Sequence, residues 1–407
     1  MSTFESFRAQ FPSLSRKHEG KTLVFMDGPG GTQVPQSVID AVASYYKLSN
    51  ANSHGPFITS QETDVIIQGA RQRMSDFLGA EGPSTISFGS NMTTINFALS
   101  RAMSRVFQPG DEVIITQLDH EANRGPWLSL RDHGIIVKEV GLLRNGYLDY
   151  EDLARKVNHR TRLIAMGYGS NFMGTVNNIA IAREQAYRVG AWLLIDAVHY
   201  APHFPIDVEA LGCDFLLCSA YKFYGPHVGI LYSKPGLLDQ LPTDRLRTAP
   251  QSAPGSIETG TFNHAALAGV SAAVDAIADL GEDHKEKRQE IISGMKAIQL
   301  HERTLLEQLH QGLLSIPGIR IIGPALEDTR RTPTLAVVAK GHHPTEITKA
   351  LAAENVCAWH GHFYAQRAAE VLGLQEKGGV ERLGLSAYSN QEDVDRVIQS
   401  FKKIIKQ

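Results

Sequence analysis

Short apolar runs alternate with helical segments between about residue 80 and residue 235, which is typical of βαβ units. Each run is rich in β-branched or other apolar residues and has the length of a strand: TISF (85–88), DEVIIT (111–116), GIIVKEV (134–140), TRLIAMG (161–167), AWLLID (191–196), CDFLLCS (213–219) and VGILYS (228–233). Helical periodicity marks the segments between them, as in 93–107, 150–158 and 179–190. The pattern predicts an α/β fold with a large, mostly parallel seven-stranded sheet.

The last two runs are joined by YKFYGPH, which is too short for a crossover helix, so we predict that they pair antiparallel. After about residue 285 the pattern changes to a long helical segment (285–315), two apolar runs (319–323 and 332–339) and two further helices (344–355 and 391–406). This order predicts a smaller C-terminal α+β domain. We therefore assign a large α/β domain to 20–285 and a small domain to 286–407, with an N-terminal segment, 1–19, that could pack on either.

The bulk properties disfavour several classes of partner. The chain has 407 residues, enough for about two domains, with 40 Lys and Arg against 43 Asp and Glu and a net charge of −3. Because like charges do not cluster, we expect a small molecule as partner and neither a nucleic acid nor an anionic membrane. No apolar run approaches the roughly 18 to 20 residues that cross a bilayer. Glu5 and the lack of an apolar core near the N-terminus argue against a secretory signal.

The cysteines indicate a reducing compartment. Cys213, Cys218 and Cys357 are odd in number and lack the spacing of a metal site. We therefore expect reduced thiols, a cytoplasmic location and no metal ion. Free cysteines are often buried as small apolar residues, and this is the simplest interpretation of all three.

Lys222 stands in an unusual setting. It is the only residue with a full formal charge between Asp214 and Lys234, among Leu, Cys, Tyr, Phe, Val and Ile. Most lysines lie in water and bury only their stems, and taken alone Lys222 could do the same. A lysine held in apolar surroundings instead favours the neutral amine, a nucleophile that condenses with a carbonyl. Lys222 is therefore a candidate for binding a carbonyl cofactor.

Several polar residues follow the predicted strands, at the edge where open α/β sheets bind ligands. Taken singly, each could be a helix cap or an ordinary loop residue. Together they match the needs of pyridoxal 5'-phosphate: Lys222 to hold the aldehyde as an imine, Asp196 to keep the ring nitrogen protonated, and His120 to cover one ring face. The helix start after TISF offers amides to the phosphate, through Ser90, Asn91, Met92 and Thr93.

At these motifs the chain resembles the class V aminotransferase family, and within it the cysteine desulfurase and selenocysteine lyase branch. The resemblance runs from FPSLSRKHEG near the N-terminus through LDHEANRGPW, SNFMGTVNNI and IETGTFNHAALAG to VERLGLSAYSN, and it is most specific between Asp196 and Tyr232. It implies an aspartate-aminotransferase-like fold (type I) and a pyridoxal phosphate enzyme acting on an amino acid. It also implies a homodimer with active sites at the dimer interface.

The resemblance further implies roles for individual residues. Ser219 matches a phosphate contact, Thr261 a contact to the phosphate of the partner subunit, and His199 a position where many relatives have a glutamine near the phenolic oxygen of the cofactor. Asn171 and Arg382 match positions that bind the substrate carboxylate, a task suited to a forked guanidinium. Loop residues that we expect to shape the substrate pocket are His54, Phe57, Trp359, His360, His362 and Tyr364.

Two features depart from the family pattern. Asn91 and Met92 replace threonines that relatives often have at the phosphate turn, so backbone amides and Thr93 are expected to carry more of that contact. In the loop CAWHGHFYAQ, where desulfurases carry a reactive cysteine, the register of Gly361 puts Tyr364 at that position, and Cys357 lies about seven residues too early. A phenol has a pKa near 10 and no sulfur chemistry, so a route through an enzyme persulfide lacks its acceptor.

The leading hypothesis is therefore a cysteine-desulfurase-like C–S lyase that works through a substrate α-carbanion and lets sulfur depart as free sulfide or thiol. An aminotransferase and an amino-acid epimerase form the same carbanion and stay open as alternatives. A protein that binds the cofactor without turnover is a further alternative, disfavoured because Lys222 and Asp196 are both present. A nucleotide-binding enzyme is disfavoured because neither GxGxxG after the first strand nor GxxxxGK[ST] occurs.

Overall fold

The protein is described by a computed structural model that covers residues 3–327 and 331–406. Its N-terminal part forms three two-residue strands, β1 Lys17–His18, β2 Lys21–Thr22 and β3 Val24–Phe25. The central sheet then follows, with β4 Ile86–Gly89, β5 Glu112–Thr116, β6 Ile136–Val140, β7 Thr161–Gly167, β8 Trp192–Asp196, β9 Phe215–Ser219 and β10 Gly229–Ser233. The remaining strands are β11 Ile319–Ile322, β12 Thr334–Ala339, β13 Val356–Cys357, β14 Trp359–Gly361 and β15 Val380–Gly384.

The central sheet has the strand order β4-β10-β9-β8-β7-β5-β6. Neighbours from β9 to β6 pair parallel, whereas β10 pairs antiparallel with both β9 and β4. The prediction of seven strands, mostly parallel with an antiparallel last pair, is confirmed. The parallel strands are almost wholly buried because helices cover both faces of the sheet.

The helices are α1 Thr3–Arg8, α2 Gln36–Ser44, α3 Ile58–Leu78, α4 Met92–Ser104, α5 Gly125–Leu128, α6 Tyr150–Lys156, α7 Ile179–Val189, α8 Val208–Leu211, α9 His264–Ala278, α10 Lys287–Leu314, α11 Pro344–Ala353, α12 Gln366–Val371 and α13 Gln391–Ile405. Local sequence fixes their ends. Asn91 caps α4 by accepting from the amide of Thr94, and α7 ends at Gly190, whose φ of 68° favours glycine. Six of these helices, α4, α6, α7, α10, α11 and α13, coincide within a few residues with predicted segments.

The second, smaller sheet is antiparallel, with the order β11-β12-β15-β14. Its strands β11 and β12 are predicted from their apolar runs, but β14 and β15 are not. Both are short, and β15 carries Glu381 and Arg382 in its centre, so neither shows the hydrophobic alternation of a strand. β13 pairs parallel with β3, which connects the N-terminal part to this region.

The N-terminal segment contacts both parts of the chain. Phe7 and Phe11 pack edge-on against Tyr224, which follows β9, and Phe11 also contacts Tyr388, which follows β15. Arg8 pairs with Asp393 at the start of α13 at 2.7 Å. The sequence did not decide which of the two domains this segment packs on. In the structure it bridges the two sheets. The domain boundaries near residues 20 and 285 stay predictions. Among the described residues, no helix is long and apolar enough to cross a membrane.

Candidate active site

A cavity lies at the carboxyl ends of β5, β7, β8 and β9, opposite the start of α4. Nine of the predicted site residues line it: Asn91, Met92, Thr93, His120, Asn171, Asp196, His199, Ser219 and Lys222. Each of these four strands contributes through the residues at or just after its end, so the fold gathers positions that are far apart in sequence. The structure thus brings these nine residues together at one edge of the sheet, and their individual roles stay predictions.

Lys222 lies at the end of a 3-10 turn after β9 and is only 8% exposed. Its Nζ donates to the carbonyl of Pro29 and lies 5.1 Å from the ring centroid of Tyr221. Burial, followed by the positive charge of Arg382, lowers the pKa of Lys222 to about 7, although Asp196 acts in the opposite direction. Near neutral pH a large share of the side chain is therefore the nucleophilic amine.

Asp196 ends β8 with its carboxylate buried at the cavity. Its Oδ1 accepts from the amide of Val198 at 3.0 Å. Burial raises the pKa of Asp196 to about 6, against the lowering effects of that hydrogen bond and of Lys222. A desolvated carboxylate of this kind gains from a cationic ligand group, because such a partner stabilises its charged form. It is thus suited to a protonated pyridine nitrogen.

His120 lies after β5 and presents a neutral ring to the cavity. Burial, together with the charges of Lys222 and Arg382, lowers the pKa of His120 to about 4. Its Nδ1 accepts from the amide of Ala122 at 3.0 Å, which places the single proton of the neutral ring on Nε2. The ring of Tyr364 lies 5.4 Å from that of His120, with 30° between the planes. A flat neutral ring here can stack on an aromatic ligand.

The start of α4 supplies donors for an anion. The amide of Met92 donates to Ser219 Oγ at 3.2 Å, so the hydroxyl proton of Ser219 is free to point into the cavity. The side chain of Asn91 is used as the helix cap, which leaves the backbone and Thr93 for the ligand. At Gly229 of β10, an added Cβ would lie 2.3 Å from the carbonyl carbon of Asn91, so only glycine allows this close approach.

Ser90 and Thr261 lie apart from this group. Both line a neighbouring cavity, together with His227, on the other side of the turn that leads into α4. Within a single chain neither lines the cavity that holds Lys222. The position of Thr261 beside the turn is compatible with a contact across a subunit boundary, and its role stays a prediction.

Arg382 and Asn171 are brought together by the loop that follows β14. Arg382 Nη1 donates to the carbonyl of Asn171 at 3.1 Å, and its guanidinium lies 3.9 Å from the ring centroid of Phe363. The side chain of Asn171 donates to the carbonyl of Phe363 at 2.8 Å. Burial lowers the pKa of Arg382 to about 9, still above neutral. Arg382 does not itself line the cavity, but it contacts Asn171, which does, and a buried guanidinium in this position can bind a carboxylate.

The other predicted substrate residues lie outside the cavity. His54 is exposed and pairs with Asp64 at 3.2 Å, and His360 bonds to Thr345 and Thr348 at 3.0 Å each. Tyr364 is exposed apart from its contact with His120. Their substrate roles are not supported within one chain and stay predictions.

Asp119 is a buried cavity residue that the sequence did not single out. Its carboxylate accepts from the amides of Gly167 at 2.7 Å and Thr116 at 3.0 Å, so it ties the ends of β5 and β7 together. Burial raises the pKa of Asp119 to about 7. The only signal in the sequence is its position next to His120. Pro29, Thr332 and Thr334 were also missed, since their contacts depend on the tertiary fold.

Comparison with known proteins places this geometry in a family. The family model described as Aminotransferase class-V matches residues 24–397. The chain belongs to this family. A cysteine desulfurase of Yersinia pseudotuberculosis is 32% identical to it over 418 residues, covering 99% of this chain and 98% of the relative. A probable cysteine desulfurase of Mycolicibacterium paratuberculosis is 32% identical over 415 residues, covering 98% of this chain, which spans 58% of that relative.

The solved structures agree. The cysteine desulfurase CsdA of Escherichia coli, in its S-sulfonic acid form, superimposes with a TM-score of 0.87 at 27% identity, covering 99% of this chain and 98% of that one. The expected class V aminotransferase resemblance and type I fold are confirmed. As a member of the class V aminotransferase family, the chain is a pyridoxal-5'-phosphate-dependent enzyme.

The side chains that line the cavity match the chemical groups of that cofactor. An amine (Lys222) faces the same space as a desolvated carboxylate (Asp196) and the donors at the start of α4. His199 adds a ring nitrogen, Nδ1, that is buried and has no hydrogen-bond partner among the described residues. Aldehyde, pyridine nitrogen, phosphate and phenolic oxygen therefore each have a complementary protein group available.

Proposed function

We propose that this enzyme removes the α-proton of an amino acid and cleaves its Cβ–S bond, as a cysteine-desulfurase-like C–S lyase. The observation that carries the proposal is the joining, in one buried cavity, of the amine of Lys222 and the carboxylate of Asp196, beside the guanidinium of Arg382. Relatives named cysteine desulfurase over nearly the whole chain support the choice of a sulfur substrate.

Each residue has a task that follows from its surroundings. Pyridoxal 5'-phosphate supplies an aldehyde for an amine and a ring that accepts electrons from the substrate α-carbon. Lys222, with its lowered pKa, would hold the aldehyde of the cofactor, and its free amine could accept the α-proton. Asp196 would stabilise a proton on the ring nitrogen. Arg382 and Asn171 would bind the substrate carboxylate, and the flat neutral ring of His120 would be available to stack on the cofactor.

We further propose that sulfur leaves as sulfide or thiol and not on a cysteine of the enzyme. Among the described residues lining the cavity, none is a cysteine. Cys213 and Cys218 are core residues, and burial raises the pKa of Cys213 to about 12, far from a reactive thiolate. Cys357 ends β13 and is half-buried, with its pKa also raised by burial. Tyr364, proposed to occupy the nucleophile position, can donate a proton but cannot accept sulfur.

Product analysis tests this function. The holoenzyme is offered cysteine, cystine, cysteine sulfinate and cysteine S-conjugates, and the products are identified after single and multiple turnovers. From cysteine we expect pyruvate, ammonia and sulfide, from the S-conjugates pyruvate, ammonia and a thiol, and from cystine pyruvate, ammonia and thiocysteine. Cysteine sulfinate, whose sulfur is too oxidised to leave as sulfide or thiol, is expected to yield neither. Intact-protein mass spectrometry is expected to find no sulfur added to the chain. Alanine with sulfur bound to the enzyme would contradict the proposed sulfur route. A keto acid with aminated cofactor would favour an aminotransferase, and inverted stereochemistry an epimerase.

We also propose that the enzyme is a homodimer. The segment from Tyr46 to Val65 exposes a group of large apolar side chains, namely Tyr46, Leu48, Phe57, Ile58 and Val65. Exposed apolar groups of this size are typical of interaction surfaces. His54 lies in the same segment, and Thr261 lies at the separate cavity beside the phosphate turn. In a dimer, each chain could therefore contribute these residues to the Lys222 cavity of the other.

Mass measurement in solution tests the dimer. Wild type is expected at twice the mass of one chain, and the double variant L48D/V65D at the mass of one chain, because two charges would then have to be buried at the interface. Tyr187→Asp, at a highly exposed aromatic residue on α7, is the matched control and is expected to stay dimeric. A monomeric wild type would overturn the proposal.

A further inference from the structure

The imidazole of His199 lies between the cofactor cavity and the start of β12 in the small sheet. It lines the cavity, and its Nε2 lies 2.9 Å from the hydroxyl of Thr334 and 3.2 Å from that of Thr332. Its Nδ1 is buried with no partner among the described residues. The two ring nitrogens thus face different surroundings, two hydroxyls at Nε2 and no hydrogen-bond partner among the described residues at Nδ1.

His199 is a neutral ring in this setting. Burial holds the pKa of His199 well below its usual value, and His203, Lys222, Arg382 and His120 act in the same direction when they carry a proton. A neutral imidazole carries one proton, so one nitrogen donates and the other accepts. Which of the two donates is set by the partner on the opposite side.

The two threonine hydroxyls are held in place by the backbone around them. Thr332 donates its amide to the carbonyl of Gly174 at 2.9 Å, and Arg331 bridges the carbonyls of Met173 and Thr334 at 2.9 Å each. Gly174 has a φ of 81°, and a Cβ there would lie 2.6 Å from the carbonyl oxygen of Thr334. Among the described residues, neither hydroxyl has a hydrogen-bond partner other than His199.

We propose that Thr334, with Thr332 beside it, is a positioning residue that donates to His199 Nε2 and so fixes the proton on Nδ1, where it hydrogen-bonds an oxygen of the cofactor. Hydroxyls can donate or accept, so they satisfy the Nε2 lone pair when Nδ1 carries the proton. An oxygen acceptor at the Nδ1 side then selects this tautomer. This inference rests on the proposed placement of the cofactor beside His199.

A buried contact between a histidine and a glutamate lies beside the same arrangement. His203 follows His199 by four residues, and its ring lies 5.3 Å away at 77°. Its Nδ1 lies 2.9 Å from Glu302 Oε2, with both side chains almost fully buried. In its protonated form His203 opposes a second proton on His199. The cofactor oxygen would therefore meet a neutral donor whose orientation is set from the C-terminal half of the chain.

The test compares three full-length proteins with the cofactor added: wild type, T332V/T334V and T332S/T334S. Valine keeps the shape of threonine and removes the hydroxyl, whereas serine keeps the hydroxyl. We expect the valine variant to bind pyridoxal 5'-phosphate about three- to tenfold more weakly, as for one lost hydrogen bond. The pH midpoint of its visible absorption should rise, because an oxygen that loses a donor becomes more basic. The serine variant should restore both readouts.

Repeating the threonine substitutions in a His199→Gln protein separates an effect on the orientation of His199 from an effect on folding. In His199→Gln the side-chain amide is a fixed donor with no tautomer to select, so adding T332V/T334V should not shift the pH midpoint further. An equal shift in both backgrounds, or none with His199 present, would overturn the proposal. Melting temperatures identify a variant that fails to fold, and if T332V/T334V does so, the single variants Thr334→Val and Thr334→Ser replace the double variants in both backgrounds. A wild type that takes up no cofactor would instead refute the proposed function itself.

Discussion

Replacing Lys222 with alanine is expected to abolish covalent capture of pyridoxal 5'-phosphate and to lower turnover by at least about 10²- to 10⁴-fold, the range for losing a positioned general base. The reason is that the buried amine serves twice, as holder of the cofactor and as acceptor of the α-proton. Wild-type protein should be yellow, and borohydride should fix the cofactor on the peptide that contains Lys222. The variant should keep neither the colour nor the label.

Lys234→Ala is the matched control, because Lys234 lies in the same part of the sequence but is exposed after β10. It should retain label and turnover. The pH dependence gives a second signature. Since the pKa of Lys222 is lowered to about 7, the free-amine fraction, and with it the capture rate by apoprotein, should rise as pH increases through about 7 and level off above. A midpoint near the ordinary lysine value would mean that Lys222 is not desolvated.

The strands of the central sheet could be predicted because each is a compact apolar run that needs burial on both faces. β15 could not. Its centre holds Glu381 and Arg382, which are buried only because the tertiary fold provides Thr348 Oγ1 at 2.6 Å from Glu381 Oε2 and the aromatic ring of Phe363 next to Arg382. A strand that buries charge is recognisable only once its partners are known, and these lie distant in sequence.

The same limit applies to the site. Lys222, Asp196 and His120 could be predicted because each follows a strand whose carboxyl end faces the cavity. Thr334 carries no such mark, since a threonine at the start of an apolar strand is an ordinary residue. Its contact with His199 spans 135 positions and depends on how the small sheet packs against the loop at Gly174. Ser90 is predicted from the helix start after TISF, Thr261 from the family resemblance, and His54 and His360 from their loops. A single chain brings none of the four to the cavity.

Asp196→Asn should lower turnover by about 10²-fold or more, since an amide keeps the size of the side chain but cannot stabilise a protonated ring nitrogen. The same change should stabilise the apoprotein. Burial raises the folded-state pKa of Asp196 to about 6 from 3.8, so the folded state binds the proton more tightly and stability falls as pH rises from the lower value to the higher. Above pH 6 the ionised carboxylate costs on the order of 2–3 kcal/mol, which asparagine removes.

Opposite signs for activity and stability therefore distinguish a functional carboxylate from a structural one. Thermal unfolding of apoprotein should show a gain for Asp196→Asn at both pH 5 and pH 8, larger at pH 8, because pH 5 already lies above the ordinary carboxyl pKa of 3.8. Asp214→Asn, at a carboxylate that accepts from the amide of Leu193 outside the cavity, should leave turnover unchanged. If Asp196→Asn instead lost stability at pH 8 and kept its turnover, the carboxylate would be a packing element, and the ring nitrogen would have to find its partner elsewhere. Burying the ionised carboxylate of Asp196 without a ligand has an unfavourable free energy, and only a cationic group bound beside it makes that free energy favourable.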